Sequence, residues 1–136
     1  MAQNLTLEIV TPEKTLLETE ADYVTLPGII GELGILPGHI PIVTGLQSGV
    51  LVYKNGNSEK KLAIHYGFAE ISQDKISVLA NTAELGEEIN VDRSKASQVK
   101  TEEELKEIIF DVDNLERVEL LQQKLSKTTT RLIAAE

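Results

Sequence analysis

The placement of glycine and proline divides this sequence into two unlike parts. All nine glycines lie at or before Gly86, and all four prolines lie at or before Pro41. After Gly86 the sequence is rich in Glu, Lys, Gln, Leu and Ala, most of which favour helices. Glycine and proline interrupt helices and mark turns. We therefore predict a β domain over residues 1–86 and a helical unit over residues 87–136.

The first part has the apolar period of β-strands. Apolar residues alternate with other residues in two sets: Leu5, Leu7 and Ile9, and Ile76, Val78 and Ala80. This alternation is typical of strands with one buried face. Asn55-Gly56 lies between two apolar segments, residues 50–53 and 62–66, and predicts a hairpin; Gln73-Asp74 predicts another turn. Many short strands with frequent turns favour a sandwich or flattened barrel.

The second part has a helical period. Asn90 or Asp92 can cap a first helix, with an apolar stripe of Val91, Ala96, Val99, Leu105, Ile108 and Ile109. Asp113 and Glu116 have capping-box spacing and open a second helix, with a stripe of Val118, Leu121, Leu125, Thr128 and Leu132. We expect the two to pack as an antiparallel hairpin of marginal stability. The three threonines at 128–130 favour fraying near its end.

Composition limits the possible functions. The chain has 136 residues, no cysteine, two histidines and a net charge of −9. Free binding to nucleic acid or to an anionic lipid surface would meet repulsion. Neither a signal peptide nor a run of about 18 apolar residues is present, so we expect a soluble chain without membrane insertion. No metal site is expected, and a protein is the favoured partner.

Residues 26–44, LPGIIGELGILPGHIPIVT, combine four glycines and three prolines with aliphatic residues. Glycines can expose backbone N–H groups to a phosphate. However, the segment lacks the GK[ST] ending of a phosphate loop, its prolines oppose a following helix, and Glu32 adds a negative charge. His39 could be a ligand or base, but no acid or nucleophile is placed to work with it. Its ring is expected to bond the local backbone, and His65 is interpreted as a structural histidine within a strand.

Charge is unevenly distributed in the helical unit. Residues 120–135 contain Lys124, Lys127 and Arg131 and no acid. This patch is cationic on an anionic protein, so an acidic protein surface could dock there. A solvated helix face is the alternative interpretation.

Three segments together resemble a known family. LPGIIGELGILPGHIPIVTGLQSGVL (26–51), GFAEISQDKISVLANTAE (67–84) and the two-helix segment resemble the epsilon subunit of bacterial F-type ATP synthases. The resemblance implies an α+β fold: an N-terminal β-sandwich of about ten strands, then a C-terminal antiparallel helical hairpin. It also implies a noncatalytic central-stalk subunit that couples the gamma subunit to the c-ring for proton-driven ATP synthesis. Such a subunit would lie at the cytoplasmic face of the bacterial plasma membrane.

The resemblance also implies roles for particular residues. The loop of Gly31, Glu32, Leu33 and Gly34, together with His39, matches the edge that meets the c-ring. Glu32 would contact a ring arginine there, unless it is only a solvated turn acid. The helices would extend into the catalytic head of alpha and beta subunits and inhibit ATP hydrolysis. Lys124, Lys127 and Arg131 would then face acidic segments of that head.

Some family members bind regulatory ATP through a motif of Ile or Leu, Asp, two free positions, Arg and Ala. The matching stretch here runs over residues 91–96, and the possible ATP-binding residues are Asp92, Lys95 and Ala96. Lys95 replaces the planar arginine by a point charge, which would weaken contacts to phosphate. Asp92 could instead serve only as a helix cap. No cofactor is required. A stand-alone ATP sensor and an enzyme using His39 remain rival hypotheses.

Overall fold

The computed structural model describes residues 4–107 and 115–136. These residues form eight strands, a short 3-10 helix at Gly86–Glu88 and two α-helices. The strands are β1 (Leu5–Val10), β2 (Thr15–Ala21), β3 (Tyr23–Pro27), β4 (Glu32–Ile35), β5 (Ile42–Leu46), β6 (Gly49–Asn55), β7 (Ser58–Ser72) and β8 (Lys75–Leu85). The helices are α1 (Val91–Glu107) and α2 (Leu115–Ala135). The predicted α+β order of sheet and then helices is confirmed, with eight described strands where about ten were expected.

The long strand β7 organises the sheet. Strand order is β2-β1-β8-β7-β6-β3-β4, and β5 pairs with β7 outside this path. The first half of β7 pairs with β6 and the second half with β5, while β8 follows it on the other side. β1 pairs in parallel with β8, and the other strand pairs are antiparallel. Because β7 changes partner midway, the sheet folds over one enclosed core.

An aliphatic core fills the space between the layers. Its fully buried members come from both predicted alternating sets and from β3, β4, β6 and β7: Leu5, Leu7, Ile9, Val24, Leu26, Ile35, Leu51, Leu62, Ile64, Ile76 and Val78. Alternation therefore identified the inward face correctly. Each such side chain contributes roughly 1.5–3 kcal/mol when it is buried.

Both predicted turns are present. Asn55 pairs with Ser58, so Gly56 and Asn57 form the two-residue turn between β6 and β7, with φ of 63° at Gly56. A positive φ at the first central residue is typical of a type II′ turn. Gln73 and Asp74 form the β7–β8 turn with φ of 52° and 60°, as in a type I′ turn.

The backbone of β7 is distorted at Tyr66 and Gly67 without a change in its register with β8. His65 pairs with Thr82 and Gly67 pairs with Ala80, which leaves Tyr66 and Asn81 between the two pairs. Tyr66 has φ of 58° and Gly67 has φ of 146°. A Cβ on Gly67 would lie 2.0 Å from the Leu79 carbonyl oxygen. Glycine is therefore required where the backbones of the two strands approach closely.

The helices pack against each other and against the sheet. Val91, Lys95, Leu132 and Ala135 line one groove, so the start of α1 lies beside the end of α2 and the pair is antiparallel as predicted. Asn90 is the cap of α1, because its Oδ1 accepts a hydrogen bond from the Arg93 N–H at 2.9 Å. Among the described helices, neither is long and apolar enough to cross a membrane.

The predicted stripe of α2 is confirmed, whereas that of α1 is wrong at Val91, Ala96 and Val99, which are exposed. Val118, Leu121 and Thr128 of α2 are buried. On α1 the buried residues are Ser94 and Thr101, whereas Val99 is 53% exposed. Small side chains allow the two helices to approach closely, so they occupy the contact in place of the aliphatic ones. The predicted stripe members Ile108 and Ile109, the predicted end of α1 near residues 110–112 and the cap at Asp113 lie outside the described residues.

The threonines at 128–130 do not end the helix. α2 continues through them to Ala135, and Thr128 and Thr130 are buried. The Thr128 hydroxyl donates to the Lys124 carbonyl oxygen at 2.9 Å. Contacts with the sheet compensate for the low helix propensity of these residues, so the expected fraying is wrong.

Candidate functional site

The β3–β4 hairpin presents the first candidate surface. Pro27 pairs with Glu32, so residues 28–31 form the tip. Ile30 at this tip is 98% exposed. Gly31, Glu32 and Leu33 line a small cleft of about 260 Å³ together with Ile30, Ile42 and Thr44. The tip therefore offers an exposed aliphatic side chain beside one exposed carboxylate.

Three of the five residues predicted to meet a ring line this cleft, and Gly34 and His39 do not. Gly34 lies in β4, where a Cβ would come within 2.6 Å of the Tyr23 hydroxyl, so this glycine makes room for Tyr23. Leu33 is half-buried against the core. His39 follows in the turn after β4, where its ring Nδ1 donates to the Ile40 carbonyl oxygen at 2.6 Å. The expected backbone bond of this histidine is confirmed.

A hydrogen bond joins the turn that contains His39 to the β7–β8 turn. The Gly38 N–H donates to Asp74 Oδ1 at 2.7 Å. Leu36 and Ile40 flank Gly38 and are both more than half exposed. The turn thus presents two further aliphatic side chains from a backbone that Asp74 holds in place.

The second candidate surface is the outward face of the sheet, which we call the sheet-face patch: Ile29, Val43, Phe68 and Leu79, each more than half exposed. Phe68 lies opposite Gly45 on one side and opposite Leu79 on the other. Ile29 covers Gly45, since a Cβ there would meet its side chain at 3.1 Å. A contiguous exposed apolar row of this kind marks an interaction surface.

Sequence reasoning missed the sheet-face patch. Phe68 and Leu79 belong to strands whose other face is apolar too, and a strand with two apolar faces gives no clear alternation. The signal that was available is the run Ile76 to Ala80, in which Leu79 breaks the polar side of the alternation.

A third site joins α2 to the sheet, and we call it the docking network: Ser48, His65, Glu84, Thr130 and Arg131. His65 Nδ1 lies 3.1 Å from Ser48 Oγ, and Ser48 Oγ lies 3.3 Å from Thr130 Oγ1. On the other side of the ring, His65 Nε2 lies 3.6 Å from Glu84 Oε1, which also accepts a hydrogen bond from Arg131 Nε. The network links β7, β8, the β5–β6 connection and α2.

His65 is fully buried in this network. The pKa of His65 is lowered to about 4, chiefly because burial disfavours the charged ring and next because Arg131 is cationic. Glu84 opposes this shift, and Lys127 adds to it. His65 is therefore neutral at pH 7, and its Nε2 has no hydrogen-bond partner among the described residues. His65 is thus buried in its strand, as expected of a structural histidine.

The three cationic residues predicted to face another subunit differ in exposure. Lys124 is exposed, whereas Lys127 and Arg131 are half-buried. Arg131 is paired with Glu84 of the same chain. In this arrangement the cationic patch turns partly toward its own sheet.

The three residues of the possible ATP motif do not all line the same groove. Lys95 lines the groove between the start of α1 and the end of α2, about 560 Å³ in volume, together with Val91, Gln98, Val99, Leu132, Ala135 and Glu136. Asp92 and Ala96 are exposed and do not line it. No group of three or more potential metal ligands occurs within residues 4–107 and 115–136.

Comparison with known proteins places this architecture in a family. Residues 4–86 match the family described as ATP synthase, Delta/Epsilon chain, beta-sandwich domain. The chain is 40% identical over 131 residues to the ATP synthase epsilon chain of Nitratidesulfovibrio vulgaris (strain DP4), covering 96% of this chain and 98% of that one. It is 42% identical to the ATP synthase epsilon chain of Desulforamulus reducens over 136 residues, covering 100% of both chains.

Solved structures share the fold at low sequence identity. A chain in the cryo-EM structure of Euglena gracilis mitochondrial ATP synthase (OSCP/F1/c-ring in rotational state 1) superposes with a TM-score of 0.83 at 18% identity, covering 98% of this chain and 82% of that chain. A chain of the Tetrahymena thermophila mitochondrial ATP synthase central stalk/c-ring structure gives 0.63 at 16% identity, covering 98% of both. On the family match and the full-length relatives, this chain belongs to the ATP synthase delta/epsilon family, among the epsilon chains.

Proposed function

We propose that the chain is a noncatalytic rotor subunit of an F-type ATP synthase that couples the gamma subunit to the c-ring during proton-driven ATP synthesis. It would work at the cytoplasmic face of the bacterial plasma membrane as a peripheral part of the complex. The observation that carries this proposal is the pair of exposed apolar surfaces on one β domain, the sheet-face patch and the β3–β4 tip. A subunit that joins two partners needs two such surfaces.

The sheet-face patch suits the gamma subunit. Phe68 and Leu79 lie on neighbouring strands of a hydrogen-bonded sheet, so they present a fixed apolar area without an ordering cost. An aromatic anchor flanked by aliphatic residues is typical of an interface centre. We expect the gamma subunit to cover this face.

The β3–β4 tip suits the c-ring. Gly31 and Glu32 follow the exposed Ile30, and the turn that contains His39 supplies Leu36 and Ile40. A carboxylate beside exposed aliphatic residues can bind an arginine in the polar loop of a ring through a charge-assisted bond. Leu33 and Gly34 would support this edge from β4.

Binding of the purified gamma subunit tests the proposal. Full-length chain and a chain that ends after Gly86 are each captured on beads and exposed to gamma at micromolar concentration. Both should retain gamma, because the sheet-face patch lies within residues 1–86. Circular dichroism of the shorter chain is the folding control, and loss of gamma by the full-length chain would end the proposal.

We further propose that α1 and α2 inhibit ATP hydrolysis by leaving the sheet and extending into the catalytic head. The sheet-facing contacts of α2 are mostly small or polar, with Thr130 and Ala134 buried, so they exclude less apolar surface than a leucine-lined contact. On release, Lys127 and Arg131 would join Lys124 and face acidic segments of the head. Hydrolysis by a reconstituted complex should rise when the chain ends after Gly86, and unchanged hydrolysis would remove this part of the proposal.

A second candidate function is binding of regulatory ATP to the folded hairpin. The supporting observation is Lys95 in a groove of the size that small ligands occupy, with apolar walls from Val99 and Leu132. Calorimetry with Mg-ATP should then detect heat that Lys95→Ala removes and Lys100→Ala keeps. Absence of heat and of a thermal shift at millimolar nucleotide would exclude it.

A further inference from the structure

The docking of α2 encloses a titratable ring between helix and sheet. His65 comes from β7, where it pairs with Thr82 of β8 and directly precedes Tyr66. Thr130 contacts Ser48, which contacts the ring, and Arg131 lies against Glu84 on the other side. The ring is fully buried while Thr130 is 6% exposed. The last turns of α2 therefore form part of the cover over His65.

The polar and charged groups that face the His65 ring come from the β5–β6 connection, β8 and α2. Ser48 in the β5–β6 connection and Thr130 in α2 are neutral. Glu84 in β8 is the anionic group, and Lys127 and Arg131 in α2 are the cationic groups. A proton on His65 would thus be buried near the cations Lys127 and Arg131. The carboxylate of Glu84 already accepts a hydrogen bond from Arg131.

Removal of α2 reverses each of these conditions. Thr130, Lys127 and Arg131 leave with the helix, water reaches the ring, and Glu84 loses its partner. The pKa of His65, about 4 with α2 docked, then returns at least to the ordinary value of about 6.5 for histidine. Because the docked pKa is the lower one, the docked form binds fewer protons, so docking is fully favourable above about pH 6.5 and weakens as the pH falls toward 4.

We propose that His65 makes the docking of α2 on the β-sandwich acid-labile, so that a fall in pH releases the helical hairpin from the sheet. Between pH 7.5 and 5.5 the docking equilibrium constant should fall about tenfold through this one group. Release of the hairpin by acid is expected of the isolated chain. Only its consequence, that acid favours the extended inhibitory form, rests on the proposed function.

A quenching pair measures docking directly. The chain contains neither cysteine nor tryptophan, so Glu136→Cys can carry a bimane dye and Glu59→Trp can quench it. Both positions line one cleft between α2 and the sheet. The urea dependence of quenching gives the docking constant at each pH.

The matched variants are His65→Asn, which keeps a polar atom near Ser48 but does not titrate, and His39→Asn, which removes the other histidine. Between pH 7.5 and 5.5 the docking constant should fall by a factor about tenfold smaller in His65→Asn than in the parent. In His39→Asn it should fall by the same factor as in the parent. An equal fall in the parent and in His65→Asn overturns the proposal, as does a parent constant that does not change with pH.

A second measurement keeps the test decisive if His65→Asn does not fold. The imidazole proton signals of the full-length parent are followed by NMR, with His39→Asn assigning the two rings. The His65 signal should titrate near pH 4 while quenching shows α2 docked. A midpoint near 6.5 in the docked chain overturns the inference. Neither measurement involves gamma or hydrolysis, so failure here is distinct from failure of the rotor proposal.

Discussion

Arg131 of α2 and Glu84 of β8 form an ion pair at the contact between helix and sheet, with 2.5 Å between Arg131 Nε and Glu84 Oε1. The residue expected to face another subunit is thus engaged within its own chain. A partner that binds Arg131 must compete with Glu84 for it. The pair is therefore one determinant of whether the hairpin stays on the sheet.

Glu84→Gln should weaken docking of α2 by about 0.5–1 kcal/mol, since both side chains are about a third exposed and solvent screens the pair. The quenching pair at Glu59→Trp and Glu136→Cys measures it, at low and high salt. Lys75→Met is the control, because Lys75 pairs with Glu8 away from α2. Equal effects of the two variants on docking would contradict this role for Glu84.

Gly86→Ala should also weaken docking, by about 1–3 kcal/mol from overpacking. A Cβ at Gly86 would lie 2.3 Å from the Ala134 carbonyl oxygen and 2.9 Å from that of Lys61. The backbones of α2 and the sheet meet here without room for a methyl group. Glu88→Ala in the same 3-10 helix is exposed and should leave the docking midpoint in urea unchanged; a similar loss in both variants would refute the steric explanation.

Leu79→Asp should lower affinity for the gamma subunit at least tenfold, because it places a charge in the middle of the sheet-face patch. The melting temperature should change little, since Leu79 is 57% exposed. Leu120→Asp on α2 is the matched control at 60% exposure. Calorimetric titration of gamma distinguishes the two, and equal affinities would place the interface elsewhere.

Glu32→Lys should impair attachment to the c-ring, because a ring arginine would then meet a like charge. Glu13→Lys has the same change of charge in the exposed β1–β2 turn and should have no effect. Co-sedimentation with purified ring at low salt is the measurement. Retention of the Glu32→Lys chain at wild-type level would show that Glu32 is a solvated turn acid.

Local patterns in the sequence determined the sheet but not the contact with the helices. The alternation at Leu5, Leu7 and Ile9 and the turn at Asn55-Gly56 depend on near neighbours, and both predictions hold. The buried face of α1 depends on how closely α2 approaches, so the apolar period at Val91 and Val99 indicated the wrong side. The short residues Ser94 and Thr101 carry no hydrophobic signal although they lie in the contact.

The docking network could not be predicted from the sequence either, because it also depends on contacts between segments that are distant in the chain. Ser48, His65 and Glu84 are separated by 17 and 19 residues in the sequence, and Thr130 and Arg131 lie in a different unit. The pairing of β7 with β8 and the packing of α2 bring them together. The glycines of residues 26–44 did predict sharp turns, and Gly31 and Gly38 adopt φ of 153° and 85°. The sharp turns of the exposed tip could thus be predicted, whereas the residues that line the cleft beside it could not.

A three-component binding assay tests most directly the proposal that this chain joins the gamma subunit to the c-ring. Immobilised c-ring is incubated with gamma, with the full-length chain present or absent. We expect the chain to raise retention of gamma on the ring, and Leu79→Asp and Glu32→Lys each to lower it. Equal retention of gamma with and without the chain, at micromolar concentrations of each protein, would show that the chain does not join gamma to the ring.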